Sequence, residues 1–341
     1  MSYQILHLST GDKFLSSFIS FINKNFDSEV HKFLLLNITS KNDPIENKNV
    51  FLADNSKRKV FIYYFLSIIH MHTSKKIILH GLFDFKIVLI LFFMPWLLRK
   101  CHWIIWGGDL YIYKSNDKKY YWYLKEIFRR PIIKRFGFII TYIKGDYALA
   151  QKWYGAKGSY IECISYPSNL SPDPMPEPPS TSKINILVGN SGSASNNHEE
   201  VFLKLEKYKN HDVSIYVPLT YGDASYIEKI IKQGQNRFGD NFFPITEHMS
   251  NSEYQSFLNS IDIAAFNHPR QQGMGNIISL LGYGKKVFIR SDITSWEFFL
   301  SKDIFVFDVN ELEISSLSND LADMNKRNVQ KYFSTFNFKK Q

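Results

Sequence analysis

Cysteine is nearly missing: the 341 residues hold two, Cys101 and Cys163, each inside an apolar stretch. That excludes a disulfide-stapled scaffold and points to a reducing cytoplasm. No Asp-x-Asp pair occurs, and the ten histidines show neither a His-Glu-x-x-His pattern nor a Cys/His ligand spacing. A divalent cation is therefore not expected to be the main charge stabiliser. The most apolar run, residues 87 to 98, is too short to cross a bilayer as a helix, which takes about 20 residues. It reads either as a core helix or as an interfacial face. The opening MSYQILHLSTGD lacks the order of a signal peptide and reads as a first strand and its loop. No nucleic-acid signature accompanies the basic balance, since the aromatic residues lie mainly within apolar runs.

The net charge of +9 is unevenly placed. Residues 1 to 170 carry 24 Lys/Arg against 12 Asp/Glu, and the remainder carry 17 against 20. The first half thus holds all the excess, which suits an anionic membrane surface or a diphosphate-bearing acceptor. Residues 166 to 182 contain six of the twelve prolines and mark a boundary, read as an extended, semi-rigid connector. Residues 1–165 and 183–341 on either side each alternate β-rich runs with helical patterns, the signature of mainly parallel sheets covered on both faces. The expected class is α/β, with two Rossmann-like domains and a cleft between them. Loops that follow strands carry most of the functional weight in such folds.

Two such loops stand out. In LVGNSGSASNNHEE, residues 187 to 200, Gly189 and Gly192 permit close backbone approach, Asn190 and Ser191 supply small polar groups, and Asn196 or Asn197 is placed to cap the following helix. In HPRQQGMGN, residues 268 to 276, Arg270 offers a fork suited to phosphate, and Gly273 and Gly275 let backbone amides reach the same oxygens before Asn276. Positive charge and helix-terminal amides of this kind stabilise a departing diphosphate without a metal. In WIIWGGDLY, two glycines are expected to expose Asp109 at the cleft edge as a base for a sugar hydroxyl. His80, ending IILHG, competes for that role. Glu247 is a candidate contact to the donor sugar or ribose.

Taken in order, ILH near the start, His80-Gly81, WGGDLY, KGDYALAQKWY, SYPSNLSP, VGNSG with NNHEE, VPLTYGDASYIEKI, TEHMSNSEYQSFL and RQQGMGN resemble the dTDP-4-acetamido-4,6-dideoxygalactose (Fuc4NAc) transferases of glycosyltransferase family 56. The resemblance implies a GT-B fold and a metal-independent hexosyltransferase. It implies a dTDP-linked, Fuc4NAc-like donor and an undecaprenyl-diphosphate-linked oligosaccharide acceptor of enterobacterial common antigen or O-antigen synthesis. It also implies peripheral attachment at the cytoplasmic face of the inner membrane, with no cofactor beyond the sugar nucleotide. Residues falling on the family's motifs are Asp109 in the first half and Asn190, Ser191, His198, Tyr221, Glu247, Arg270, Gln271, Gln272, Gly273 and Gly275 in the second. A nucleotide-sugar 2-epimerase of the same fold, or a non-catalytic sugar-nucleotide-binding partner, are the competing readings; the basic first half disfavours the epimerase, and Asp109 the partner.

Overall fold

A computed structural model describes residues 3–10, 15–36, 47–114, 120–176, 178, 182–335 and 338. The chain divides into two compact units, Met1–Ser168 and Asn169–Lys340.

The first unit runs β1 (Ile5–Thr10), α1 (Leu15–Asn25), β2 (His31–Leu36), β3 (Val50–Ala53), α2 (Lys57–Thr73), β4 (Lys76–His80), α3 (Phe85–Phe93), β5 (Cys101–Ile104), α4 (Gly108–Tyr111), α5 (Tyr120–Arg135), β6 (Phe138–Ile140), α6 (Lys144–Tyr154) and β7 (Ser159–Ile161). The strands form one sheet in the order β3-β2-β1-β4-β5-β6-β7, parallel at every pairing. Alternation with period two decides what each face meets. Leu6, Leu8, Leu34, Leu36 and Leu79 join a core with residues of α2, α3, α5 and α6, while Phe33, Leu35, Ile104 and Ile140 pack with α1. Burial on both faces is what a parallel sheet requires. Local chemistry sets the helix ends: Ser56 caps α2, Asp84 caps α3 by accepting from Lys86 N and Ile87 N, and Gly155 closes α6 at φ +65°.

The apolar run 87 to 98 resolves into core and surface. Ile87, Val88, Leu91, Leu97 and Leu98 are buried, whereas Phe93 and Trp96 are exposed. Among the described residues no helix is long and apolar enough to cross a membrane.

The second unit runs β8 (Ile184–Val188), α7 (His198–Leu205), β9 (Val213–Pro218), α8 (Ala224–Phe238), β10 (Phe242–Ile245), α9 (Asn251–Asn259), β11 (Ile263–Phe266), α10 (Met274–Gly282), β12 (Lys286–Ile289), α11 (Thr294–Leu300), β13 (Phe307–Asp308) and α12 (Asn319–Phe333). Its sheet order is β10-β9-β8-β11-β12-β13, again all parallel. Strand order reverses between β8 and β11, the switch point at which doubly wound sheets open a crevice for ligands.

The proline-rich stretch differs from a free-standing connector where it is described; residues 177 and 179 to 181 lie outside the described residues. Ser171 N donates to Phe333 O, Pro172 lies against Gly282, and Asn259 Nδ2 donates to Pro176 O. Tyr283 Oη donates to Met175 Sδ. Proline offers no backbone N–H, so this segment is held through its carbonyls, side chains and remaining amides along α9, α10 and α12.

Candidate active site

In the second unit, three loops that follow adjacent strands meet at the switch point. After β8 the chain turns at Gly189, φ +68°, where a Cβ would stand 2.6 Å from His198 Nε2 and 2.7 Å from Asn196 Oδ1. Only glycine fits both the backbone conformation and the space. Gly192 then meets the loop after β9: its N–H donates to Tyr221 O, and its carbonyl accepts from Asp223 N. A Cβ on Gly222 would lie 2.2 Å from Gly192 O.

Asn196 is the hub. Its Oδ1 accepts from Asn190 N at 2.8 Å and pairs with His268 Nε2 at 2.9 Å, while its Nδ2 donates to Ser191 Oγ and Ser193 O at 3.1 and 3.0 Å. The side chain is fully buried. Capping was expected of Asn196 or Asn197, and neither supplies it. Asn197 instead adopts φ +49° and donates from Nδ2 to Asn267 O, so no side chain caps α7. Gly273 opens α10 at φ +67°, likewise without a side-chain cap. Two helix amino ends thus stand at the switch point with no capping side chain, a favourable setting for an anion.

The predicted residues fall around this hub. Asn190 Oδ1 accepts from Gln272 Nε2 and Asn190 Nδ2 donates to Tyr221 Oη, both at 3.4 Å, and Ser195 Oγ donates to Gln272 Oε1 at 2.9 Å. A Cβ on Gly273 would be 3.3 Å from Asn190 Cγ, so the two loops touch there. Half-buried Arg270 donates from Nη1 to Gln271 O. Beyond it lie Gly275 and Asn276, whose Nδ2 donates to Tyr254 Oη at 2.7 Å. His198, buried at the start of α7, pairs through Nδ1 with Tyr226 Oη at 3.1 Å and leaves Nε2 without a partner. Burial pushes its pKa down to about 4 and that of His268 to about 3, so both are neutral at pH 7. Glu247 is not brought into this cluster. It stands exposed between β10 and α9, and among the described residues no hydrogen bond joins it to the three loops.

In the first unit, Asp109 is not exposed at an edge. It is 2% accessible, and its carboxylate accepts four hydrogen bonds: Oδ2 from Leu82 N (3.0 Å) and Trp103 Nε1 (2.7 Å), Oδ1 from Trp106 N (3.0 Å) and Leu110 N (3.1 Å). Burial raises its pKa, opposed first by the Trp103 bond and then by the charge of Arg129. Arg129 also donates to the Asp109 carbonyl. The two glycines serve a tight turn, with Gly107 at φ +84°, and the carboxylate ties the loops after β4 and β5 together. His80 is equally enclosed: Nδ1 lies 2.5 Å from Tyr166 Oη and Nε2 lies 3.0 Å from His7 Nδ1, with the pKa driven down to about 3 by burial.

Sequence reasoning missed His268 as the partner of Asn196, and His7, His31, Trp106 and Tyr166 around His80. His7 and Trp106 sit in apolar or aromatic stretches, His268 stands between Asn267 and Pro269 in a polar loop, and the one available signal was that a histidine recurs on three strands.

Comparison with known proteins gives these loops a setting. Residues 9–341 match the family described as 4-alpha-L-fucosyltransferase, glycosyl transferase group 56. Among solved structures, the chain is similar to a sucrose-phosphate synthase from Thermosynechococcus elongatus (TM-score 0.66, 11% identity, covering 99% of this chain and 97% of that one). A glycosyltransferase from Rickettsia africae is similar at TM-score 0.65 and 12% identity, covering 99% and 96%. So is WaaG, a glycosyltransferase involved in lipopolysaccharide biosynthesis, at TM-score 0.62 and 11% identity, covering 98% and 96%.

Proposed function

The chain belongs to glycosyl transferase group 56 and is a hexosyltransferase with the GT-B fold; on that premise we propose that it moves a Fuc4NAc-like deoxyamino sugar from dTDP to an undecaprenyl-diphosphate-linked oligosaccharide of bacterial surface polysaccharide synthesis. The observation that carries this reading is the switch point of the second unit. There Arg270, the first turns of α7 and α10 and the amides of two glycine-bearing loops gather without a capping side chain. As the glycosidic bond breaks, charge grows on the leaving diphosphate, and fixed dipoles and a guanidinium offset it. A metal is not required in this scheme. The sequence lacks an Asp-x-Asp pair. The test is incubation with a panel of dTDP- and UDP-sugars plus lipid-linked acceptors, with and without excess EDTA, followed by mass analysis of the lipid. Transfer only from UDP-hexoses, or only after Mg²⁺ or Mn²⁺ is restored, would overturn the corresponding part.

The acceptor and the location at the inner face of the inner membrane draw support from the first unit. Phe61, Phe65 and Ile69 lie four residues apart on α2, and Tyr120, Tyr123, Leu124 and Ile127 recur at helical spacing on α5; all are exposed. A Trp96 Nε1 to His72 Nε2 contact of 3.4 Å links the end of α2 to the turn after α3, and Phe92 packs on Phe128 of α5. These outward apolar stripes belong to the half of the chain with twice as many basic as acidic residues. Apolar faces flanked by Lys and Arg bind the interface of anionic membranes. Replacing Phe61 and Phe65 by Ser is expected to weaken binding to anionic vesicles by about tenfold for each side chain that enters the lipid, and to make the remainder salt-sensitive. Sedimentation with vesicles of phosphatidylglycerol and phosphatidylethanolamine reads this directly. Unchanged binding of the double variant would move the membrane face elsewhere.

A further inference from the structure

Three histidines cross the first sheet on one face. His31 begins β2 and pairs in register with Ile5, His7 stands two residues further along β1, and His80 ends β4 opposite Ser9. They rise diagonally from the amino edge of the sheet to its carboxyl edge, ring nitrogen to ring nitrogen. His31 Nδ1 lies 3.0 Å from His7 Nε2, and His7 Nδ1 lies 3.0 Å from His80 Nε2. His80 Nδ1 then meets Tyr166 Oη at 2.5 Å, and Tyr166 Oη accepts from Trp106 Nε1 at 2.7 Å. Phe18 of α1 covers His7, His80 and Tyr166, and Phe33 stacks on His7.

A neutral imidazole carries one N–H and one lone pair, so this chain has two consistent states. Either every ring holds its proton on Nε2 and Tyr166 donates to His80, or every ring holds it on Nδ1 and Tyr166 accepts. Any mixture sets two N–H groups or two lone pairs face to face. Passing between the states moves one proton the length of the chain. Burying three imidazoles where Leu or Phe would pack is unfavourable unless their hydrogen bonding is used. Of the three, His31 is the most exposed, at 9%; burial lowers its pKa, and the Asp27 carboxylate opposes that shift only in part.

Resting on the transferase reading above, we propose that His31, His7, His80 and Tyr166 form a proton relay that drains the acceptor hydroxyl from the carboxyl edge of the first sheet to solvent at its amino edge. The acceptor oxygen bonds to the anomeric carbon, and the bond from that carbon to the diphosphate oxygen breaks, its electron pair leaving with the nucleoside diphosphate. The hydroxyl proton enters at Tyr166 as the phenol proton passes to His80 Nδ1, the His80 Nε2 proton to His7 Nδ1, the His7 Nε2 proton to His31 Nδ1, and the His31 Nε2 proton to water. One proton enters and one leaves, and no ring ends charged. After the products depart, a proton taken up at His31 retraces the path to water in the emptied site and restores the first state.

The full-length protein with nitrogen-15-labelled histidine gives a test that needs no substrate. The relay requires three neutral rings sharing one tautomer, or exchanging in concert; a charged ring, or neighbours frozen in opposite tautomers, overturns it. His7→Gln and His31→Gln keep hydrogen-bonding side chains that cannot pass a proton. With melting and dTDP affinity matched to wild type, each should slow single-turnover transfer by about tenfold to a hundredfold, a fraction of the range for general-base catalysis. Added imidazole should restore part of the rate, and the curved dependence of rate on deuterium fraction should become straight. A folded variant with wild-type rate and isotope response refutes the relay. A wild-type enzyme that transfers no sugar from any donor tested counts instead against the transferase reading, and the tautomer spectra then decide the relay alone.

Discussion

Asn196→Ala is expected to lower the melting temperature of the second unit by roughly 8 to 15 °C and to weaken binding of the proposed donor nucleotide, dTDP, by more than a hundredfold. The substitution removes four hydrogen bonds at once from a fully buried side chain. It strands the Asn190 amide, His268 Nε2, the Ser191 hydroxyl and the Ser193 carbonyl. A buried polar group left unpaired costs about 1 to 3 kcal/mol, and relaxation keeps the sum below simple addition, so about 4 kcal/mol is a reasonable total. For a unit of this size each kcal/mol shifts the transition by about 2 to 4 °C. The binding effect follows from the same geometry. Asn196 fixes the shape of the loop after β8 and shares with Asn190, Ser195 and Asn197 the bonds to the loop after β11, and a ligand that must first order the loops loses that free energy from its affinity. Calorimetry of unfolding and titration with dTDP measure both. A variant that melts like wild type would show that water replaces the side chain, and the hub would lose its assigned importance.

Asp109→Asn is expected to destabilise the first unit by about 2 to 4 kcal/mol while leaving dTDP affinity unchanged. Both carboxylate oxygens accept two N–H groups each. An amide keeps one oxygen and turns an NH₂ toward either the Leu82 and Trp103 donors or the Trp106 and Leu110 donors. Two donors then face a donor, and each loses a charge-assisted bond of about 1.5 to 3 kcal/mol, partly offset by removing a buried charge. Transfer should fall with the loosened loops after β4 and β5, and the loss should track the loss of folding. The opposite pattern, unchanged melting with turnover down by about a hundredfold or more, would return Asp109 to the role of base.

Much of the architecture was legible because it is written in local patterns. KINILVG, VSIYVP and IDIAAF are short apolar runs bounded by turn residues, and all three are central strands of the second unit. No such run marks β10, where Phe-Phe-Pro-Ile breaks the pattern with Pro244, a residue that an edge strand tolerates. Strand β13 spans only two residues and offers no pattern to read. At the site, glycines after strands located the loops, since a positive φ leaves a visible trace in composition. Partnership left none: Asn196 and His268 are 72 residues apart. The exposure of Asp109 was misjudged for a related reason. Flanking glycines suggest an open turn, but the donors that enclose it come from Trp103 and from Leu82 of another loop, and only folding brings these together.

The buried imidazoles bear on where this protein stays folded. His7 and His80 in the first unit, and His198 and His268 in the second, all have pKa values lowered by burial: His80 and His268 to about 3, His198 to about 4, and His7 well below its ordinary value. Each stays neutral in the native state and takes up a proton on unfolding once the pH is below its ordinary value of 6.5. The unfolded chain then binds more protons, so stability is full above pH 6.5 and declines as the pH falls towards the native values. Well below 6.5 each of these histidines contributes about 1.4 kcal/mol per pH unit, hence nearly 3 kcal/mol per unit of pH from the two named in either half. Melting curves between pH 7 and pH 4.5 should show both halves losing stability together, and a flat profile would contradict the burial. Mild acid thus acts on this protein as a denaturant that works through its interior, attacking the two loop systems at the edges of its sheets before it neutralises the carboxylates on its surface.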